Sequence, residues 1–172
     1  MVTFKHRTGV LLLVLTPAWP LRSPLRMSAK VAIGVDVGTG SARAGVVDVA
    51  SGKLLGVHKQ DIQMWEPLPE HYEQSSDDIW DAVCACTRGA LAAAGAGAGD
   101  VVGVGFDATC SLVCLDRAGA PVGVDPTAPG DDARNVIVWL DHRATAQAAR
   151  INAAGHARLR TVGGAAAPEL AI

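Results

Sequence analysis

The sequence predicts an α/β fold that opens with an antiparallel three-stranded meander, and three observations carry that expectation. Val31 to Asp48 reads VAIGVDVGTGSARAGVVD, two runs of two-residue apolar period on either side of a glycine-rich turn. Ile79, Val83, Cys86 and Ala90 then recur at helical spacing. Val101 to Phe106 is a short apolar run suited to a buried strand, and it ends in a polar cluster.

In the first run Val31, Ile33 and Val35 alternate with smaller residues, and Ala42, Ala44 and Val46 resume the alternation beyond the turn. Both flanks are therefore expected as strands, with Gly38 to Gly40 as the tight turn. Gly38 and Gly40 allow positive φ and let backbone N–H groups approach a bound phosphate that side chains would obstruct. Asp36, at the end of the first strand, suits a magnesium ion, and the Thr39 and Ser41 hydroxyls suit phosphate oxygens. A dinucleotide-binding fingerprint needs G-x-G-x-x-G opening a helix, and Arg43 stands where its third glycine belongs. The lysine-bearing phosphate loop is absent as well. An ordinary hairpin turn stays open as the reading of these residues taken alone.

Leu54 to Gln60 reads as the third strand, joined through a two-residue turn at Ser51-Gly52. Met64 to Glu73, with Trp65, Pro67, Pro69, His71 and Tyr72, suits an ordered loop. Ser75 with Asp78 resembles a capping box, so a helix is expected from about Asp77 to Ala94, closing at Gly95. The buried strand Val101 to Phe106 delivers Asp107 to its carboxyl end, the end that faces ligand crevices in open α/β sheets, so Asp107, Thr109, Cys110 and Ser111 become site candidates. A polar strand end satisfied by its own turn is the competing reading. Leu112 to Asp116 reads as a strand turning at Arg117 to Gly119, Pro121 to Arg134 as a surface loop, and Val136 to Trp139 as a last buried strand. Asp141 and His142 then sit at a strand-to-helix junction, before an alanine-rich helix that Gly155 closes.

The chain has 172 residues, enough for one domain or a piece of one, and a formal charge of −2 without a basic run in its body. That balance argues against nucleic acid as the main partner. The cysteines fall as Cys84 with Cys86 and Cys110 with Cys114, spacings that suit packed free thiols in a reducing cytoplasm better than metal ligands. Met1 to Arg26 is basic and free of acidic residues, with an apolar run from Val10 to Leu15 broken at Pro17 and Pro20. That run is shorter than the roughly 20 residues a membrane span needs. Residues 1–29 are thus set apart from the domain at 30–172, as a leader for an organelle or as an upstream extension before a start at Met27, and residues 1–26 are expected to pack little against it.

Four segments in order, GVDVGTGSARAGVVD, HYEQSSDDIW, GVGFDATCSLVCLD and VIVWLDHRATAQA, resemble the amino-terminal domain of the FGGY carbohydrate kinases. The resemblance runs from about Lys30 to Ile172, and FDATCS with WLDHRA is similar to the D-ribulose type. It implies an actin-like ATPase (ribonuclease H-like) fold, present as the incomplete amino-terminal domain of a two-domain sugar kinase. It also implies transfer of the ATP γ-phosphoryl group to a pentulose or polyol hydroxyl, with Mg2+ bridging the phosphates. Asp36 would organise the magnesium, and Gly38, Thr39, Gly40 and Ser41 would hold the phosphates. Asp107, Thr109, Cys110, Asp141 and His142 would line the sugar pocket.

The chain stops at Gly163 to Ile172, which resembles a point well inside the amino-terminal domain. The family's catalytic aspartate, its second phosphate motif and its adenosine site lie further along, so no residue here is assigned the role of base. The expectation is a fragment or short form of such a kinase, inactive alone. Two other readings stay open: a non-catalytic sugar- or phosphate-binding module that pairs with a full-length kinase copy, and a generic α/β domain.

Overall fold

The computed structural model describes residues 30–171. The expectations for residues 1–26 lie outside the described residues. The meander forms as its alternation dictates: β1 (Val31–Val37) pairs antiparallel with β2 (Ser41–Asp48), which pairs antiparallel with β3 (Leu54–Asp61). Val31, Ile33 and Val35 share one buried face with Ala42, Ala44 and Val46. The β2–β3 connection is longer than the expected two-residue turn. The Asp48 N–H donates to the Lys53 carbonyl, and the Asp48 carboxylate accepts from the Ser51 hydroxyl and the Ala50 N–H. Those bonds, the hydroxyl's first, hold the Asp48 carboxyl below its ordinary value.

Helix α1 (Ser76–Ala94) covers the buried face with Ala82, Val83, Cys86 and Ala90. Each fully buried Val or Ile in this layer contributes roughly 1.5–3 kcal/mol. Ser75 caps the helix by accepting from the Asp78 N–H at 3.4 Å, and Gly95 ends it in the left-handed region. Only half of the expected capping box exists. The Asp78 carboxylate accepts instead from the Gln63 N–H at 2.8 Å and so pins the loop after β3 to the helix. The helix lies close on β3, because a Cβ at Gly56 would stand 2.5 Å from the Ala94 nitrogen and 2.6 Å from the Ala90 carbonyl oxygen. Gly89 likewise leaves its space to the His58 ring.

β5 (Val101–Ala108) joins parallel to β1, giving the order β3-β2-β1-β5. The expectation that this run is buried is corrected: Val102, Val104 and Phe106 are 57, 51 and 60% exposed. The reason is cover, since α1 lies over β1, β2 and β3, and β5 sits at the sheet's edge beyond it. On the opposite face Gly34, Gly45 and Gly105 line an open concavity of about 830 Å³ that no described element covers.

A second, small antiparallel sheet has the order β4-β7-β6, built from β4 (Glu73–Gln74), β6 (Leu112–Val113) and β7 (Val136–Ile137). The strands expected over Leu112 to Asp116 and Val136 to Trp139 therefore pair over two residues each. β4 offers no longer partner, and the Asp141 N–H turns back to the Val138 carbonyl. Val138 stays buried while Trp139 leaves the sheet, 45% exposed. The turn after β6 is the expected one, with the Asp116 carboxylate accepting from the Ala118 and Ala120 N–H groups. The loop from Pro121 to Arg134 is less superficial than expected, because Asp125 within it is buried. Helix α2 (Thr145–Ala153) follows, and Gly155 turns the chain at φ 63°.

All four cysteines are free, and burial pushes the Cys86 thiol up. Among the described residues no helix is long and apolar enough to cross a membrane, and no group of three or more His, Cys, Asp and Glu side chains could hold a metal ion.

The close helix–sheet contact generates a paired expectation. Gly56→Ala, which drives a methyl group into helix backbone, should destabilise the chain by about 1–3 kcal/mol. Gly99→Ala, where a Cβ meets nothing within 4 Å, should change stability by less than about 0.5 kcal/mol. Urea unfolding followed by circular dichroism measures both, and equal effects would contradict the contact.

Candidate functional site

The β1–β2 turn closes through the Gly38 N–H, which donates to the Ser41 carbonyl at 3.0 Å. The expected positive φ is not used, since neither Gly38 nor Gly40 adopts it. A Cβ at Gly40 would meet nothing within 4 Å, so the turn is open on that side, and one at Gly38 would stand in ordinary contact with the Ser41 carbonyl oxygen at 3.5 Å. Thr39 is half-buried, Gly40 is exposed, and Ser41 is buried at the foot of β2.

Parallel pairing of β1 with β5 sets Asp36 opposite Asp107 at the turn end of both strands. The Thr109 N–H continues that pairing by donating to the Val37 carbonyl at 3.1 Å, which brings Thr109 beside the turn. On its other side Asp36 faces Arg43 and is paired with it at 2.7 Å. Both side chains are more than half exposed, so the pair is worth at most about 1 kcal/mol and a divalent ion can displace it. The exposed Asp36 carboxylate is a hard oxygen donor of the kind that magnesium takes while keeping several waters. The residues present fit that ion.

The second sheet reaches the same turn. The Gln74 amide donates to the Thr39 carbonyl at 2.6 Å, and the Trp139 indole N–H donates to the Thr39 hydroxyl at 2.9 Å. Cys110 is exposed next to Thr109. The structure thus brings Asp36, Thr39, Asp107, Thr109 and Cys110 to one end of the main sheet.

Asp141 and His142 are placed differently. Asp141 is fully buried and accepts from the Tyr72 N–H at 2.7 Å, the Arg143 N–H at 2.9 Å and the Arg143 guanidinium at 2.8–2.9 Å. Burial alone would raise its carboxyl, but these hydrogen bonds outweigh burial and hold it below the ordinary value. His142 is half-exposed and lies 3.2 Å from Glu70 and 3.7 Å from Glu169. Its backbone N–H donates to the carbonyl of Glu70, which takes the left-handed φ of 67°.

A residue the sequence reasoning did not single out lies at the centre of this cluster. Glu73 is completely buried, and its Oε1 accepts from Arg143 at 3.0 Å. Its Oε2 has no hydrogen-bond partner, with Arg134 3.7 Å away. Burial pushes its carboxyl up against the pull of Arg143. Arg134 is held in turn by Asp125 at 2.6 Å and Asp131 at 3.1 Å. The only sequence signal was a Glu-Gln pair directly ahead of a helix cap, with two arginines flanking the Val136 run.

Three comparisons bear on this arrangement. Residues 31–164 match the FGGY family of carbohydrate kinases, N-terminal domain. A human FGGY carbohydrate kinase domain-containing protein is 50% identical over 138 residues, covering 80% of this chain and 24% of that one. A D-ribulokinase of Saccharomyces cerevisiae is 41% identical over 151 residues, covering 87% of this chain and 21% of that one. The chain thus spans about a quarter of the length of these relatives. Among solved structures, the xylulose kinase from Rhodospirillum rubrum superposes with a TM-score of 0.61 at 24% identity, over 75% of this chain and 25% of that one. At that identity the likeness establishes the fold.

The opposed shifts of the two buried carboxyls set a pH dependence. Asp141 has a folded value below its ordinary 3.8, so its stabilisation is complete above that value and is lost as pH falls through the folded one. Glu73 has a folded value above its ordinary 4.5, so its contribution grows as pH falls through the folded value and levels off below the ordinary one. Asp141→Asn should therefore cost about 3 kcal/mol at neutral pH by leaving Arg143 poorly paired, with the gap closing only below about pH 4. Urea unfolding of both proteins across that range is the measurement, and a gap independent of pH would refute the assignment.

Proposed function

The chain belongs to the FGGY family of carbohydrate kinases, and on that premise we propose that it supplies the phosphate turn and part of the sugar pocket of an ATP-dependent kinase acting on a pentulose of the D-ribulose type. The observation that carries the reading is the register of Asp36 with Asp107, which sets the glycine turn and the Thr109 segment side by side. The similarity to a D-ribulokinase supports the sugar class.

In this reading the Thr39 hydroxyl donates to a phosphoryl oxygen, and the side-chain-free Gly38 and Gly40 let that oxygen approach the backbone. Asp36 would hold magnesium, which would supply charge neutralisation at the phosphoryl oxygens when bound. Asp107, Thr109 and Cys110 orient the sugar so that its accepting hydroxyl faces the turn, a matter of positioning more than of covalent chemistry. Asp141, with its oxygens already filled by Arg143 and Tyr72, shapes the wall behind them. No residue of this segment is given the role of the base that takes the sugar's proton.

A chimaera tests the proposal. The matching segment of the yeast D-ribulokinase is replaced by that of this chain, and ADP release dependent on D-ribulose is followed. Turnover should persist. Within the chimaera Asp36→Ala should lower kcat by about a hundredfold or more with little change in the sugar KM. Thr109→Val should raise the sugar KM by about five- to tenfold and leave the ATP KM alone. An Asp36→Ala protein that turns over normally but has an altered sugar KM would show that turn and pocket have been interchanged.

A further inference from the structure

Thr39 is held from outside its own hairpin by two donors of different kinds. The buried Gln74 amide fixes the backbone beneath it, donating to the Thr39 carbonyl at 2.6 Å. The Trp139 indole N–H donates to the hydroxyl at 2.9 Å. An indole N–H has no acceptor capacity, so the Thr39 oxygen accepts in this bond and its single hydrogen is directed elsewhere. Trp139 is itself anchored, since its backbone N–H donates to the Ser111 hydroxyl at 3.3 Å, and that oxygen lies 3.5 Å from the Thr109 hydroxyl. A large indole left 45% exposed would ordinarily give its N–H to water. Here the polar atom is committed to the turn.

We propose that Trp139 is a positioning residue of the phosphate turn: by occupying a lone pair of Thr39 it presents the hydroxyl hydrogen to an incoming phosphoryl oxygen, and through Ser111 it couples that hydroxyl to the Thr109 side of the site. The inference rests on the phosphate-turn reading above. It adds Trp139 to that reading, and a connection between the two halves of the site.

The test uses the whole 172-residue chain, labelled with 15N and titrated with magnesium pyrophosphate while the indole and backbone N–H resonances are followed. Trp139→Phe keeps an aromatic ring and removes the donor, and the resonance it removes identifies Trp139. That resonance should move on titration and in Thr39→Val, and should stay in place in Thr39→Ser. The Kd for pyrophosphate should rise about five- to tenfold in Trp139→Phe and in Thr39→Val, and no further in the double variant, as expected for one shared hydrogen bond. Trp139→His, which keeps a ring N–H, should recover part of the loss. A Kd unchanged in Trp139→Phe but raised in Thr39→Val overturns the positioning role and leaves the phosphate turn standing. A wild-type chain whose residues 36–41 do not respond to pyrophosphate overturns both. Should Trp139→Phe fail to fold, the Val-against-Ser pattern at Thr39 decides, and an unmoved Trp139 resonance in Thr39→Val overturns the proposal.

Discussion

The largely buried guanidinium of Arg143 is the interaction on which the site depends. It grips the Asp141 carboxylate with its Nε and Nη2, shares Nη2 with Glu73, and gives Nη1 to the Val124 carbonyl. One side chain thereby ties together β4, the 121–134 loop and the segment leaving β7. Those are the pieces that carry Gln74 and Trp139, and these two residues hold Thr39. A cation with several donors in a fixed plane can organise such a junction where a lysine could not. The arrangement also explains why a sheet with strands of only two residues persists: its short ladders are backed by charged hydrogen bonds.

How far the sequence could be read follows from how local each signal is. Strands β1 and β2 and helix α1 were legible because their apolar periods repeat within a single element, and Ser75 and Gly95 mark the helix ends in their own vicinity. The turn's location was legible too, but not its backbone conformation, since a glycine pair permits positive φ without requiring it. The exposure of Val102, Val104 and Phe106 could not be read, because an apolar run states what a strand prefers to bury and not what lies over it. Glu73 was missed for a related reason. Its partners Arg134 and Arg143 are distant in sequence, and a lone glutamate before a helix looks like ordinary surface charge until the fold closes around it.

The candidate site residues separate along the same line. Asp36, Asp107 and Thr109 come together because one parallel strand pair fixes all three. Asp141 and His142 follow a turn instead, and the chain spends the first on Arg143 and the second on Glu70 and Glu169. In the proposed reading the phosphate turn and the pocket form one unit. Within it Asp36, Asp107 and Thr109 are tied by strand pairing, and Asp141 by its hydrogen bonds to Arg143 and Tyr72.

The parallel pairing of β1 with β5 also bears on the order in which the chain acquires its structure. The meander and α1 are built from neighbouring segments, whereas Val35 meets Phe106 only after a long loop has closed, at an entropic cost that local contacts do not bear. β5 then adds little buried surface in return, since its side chains remain exposed. The hairpin carrying Thr39 and Asp36 is thus made of local contacts, and Asp107 and Thr109 sit on a strand held by a long-range pairing. The two halves of the site differ in how they are held: the hairpin half is backed by α1 and β3, and the β5 half rests on a single strand pairing.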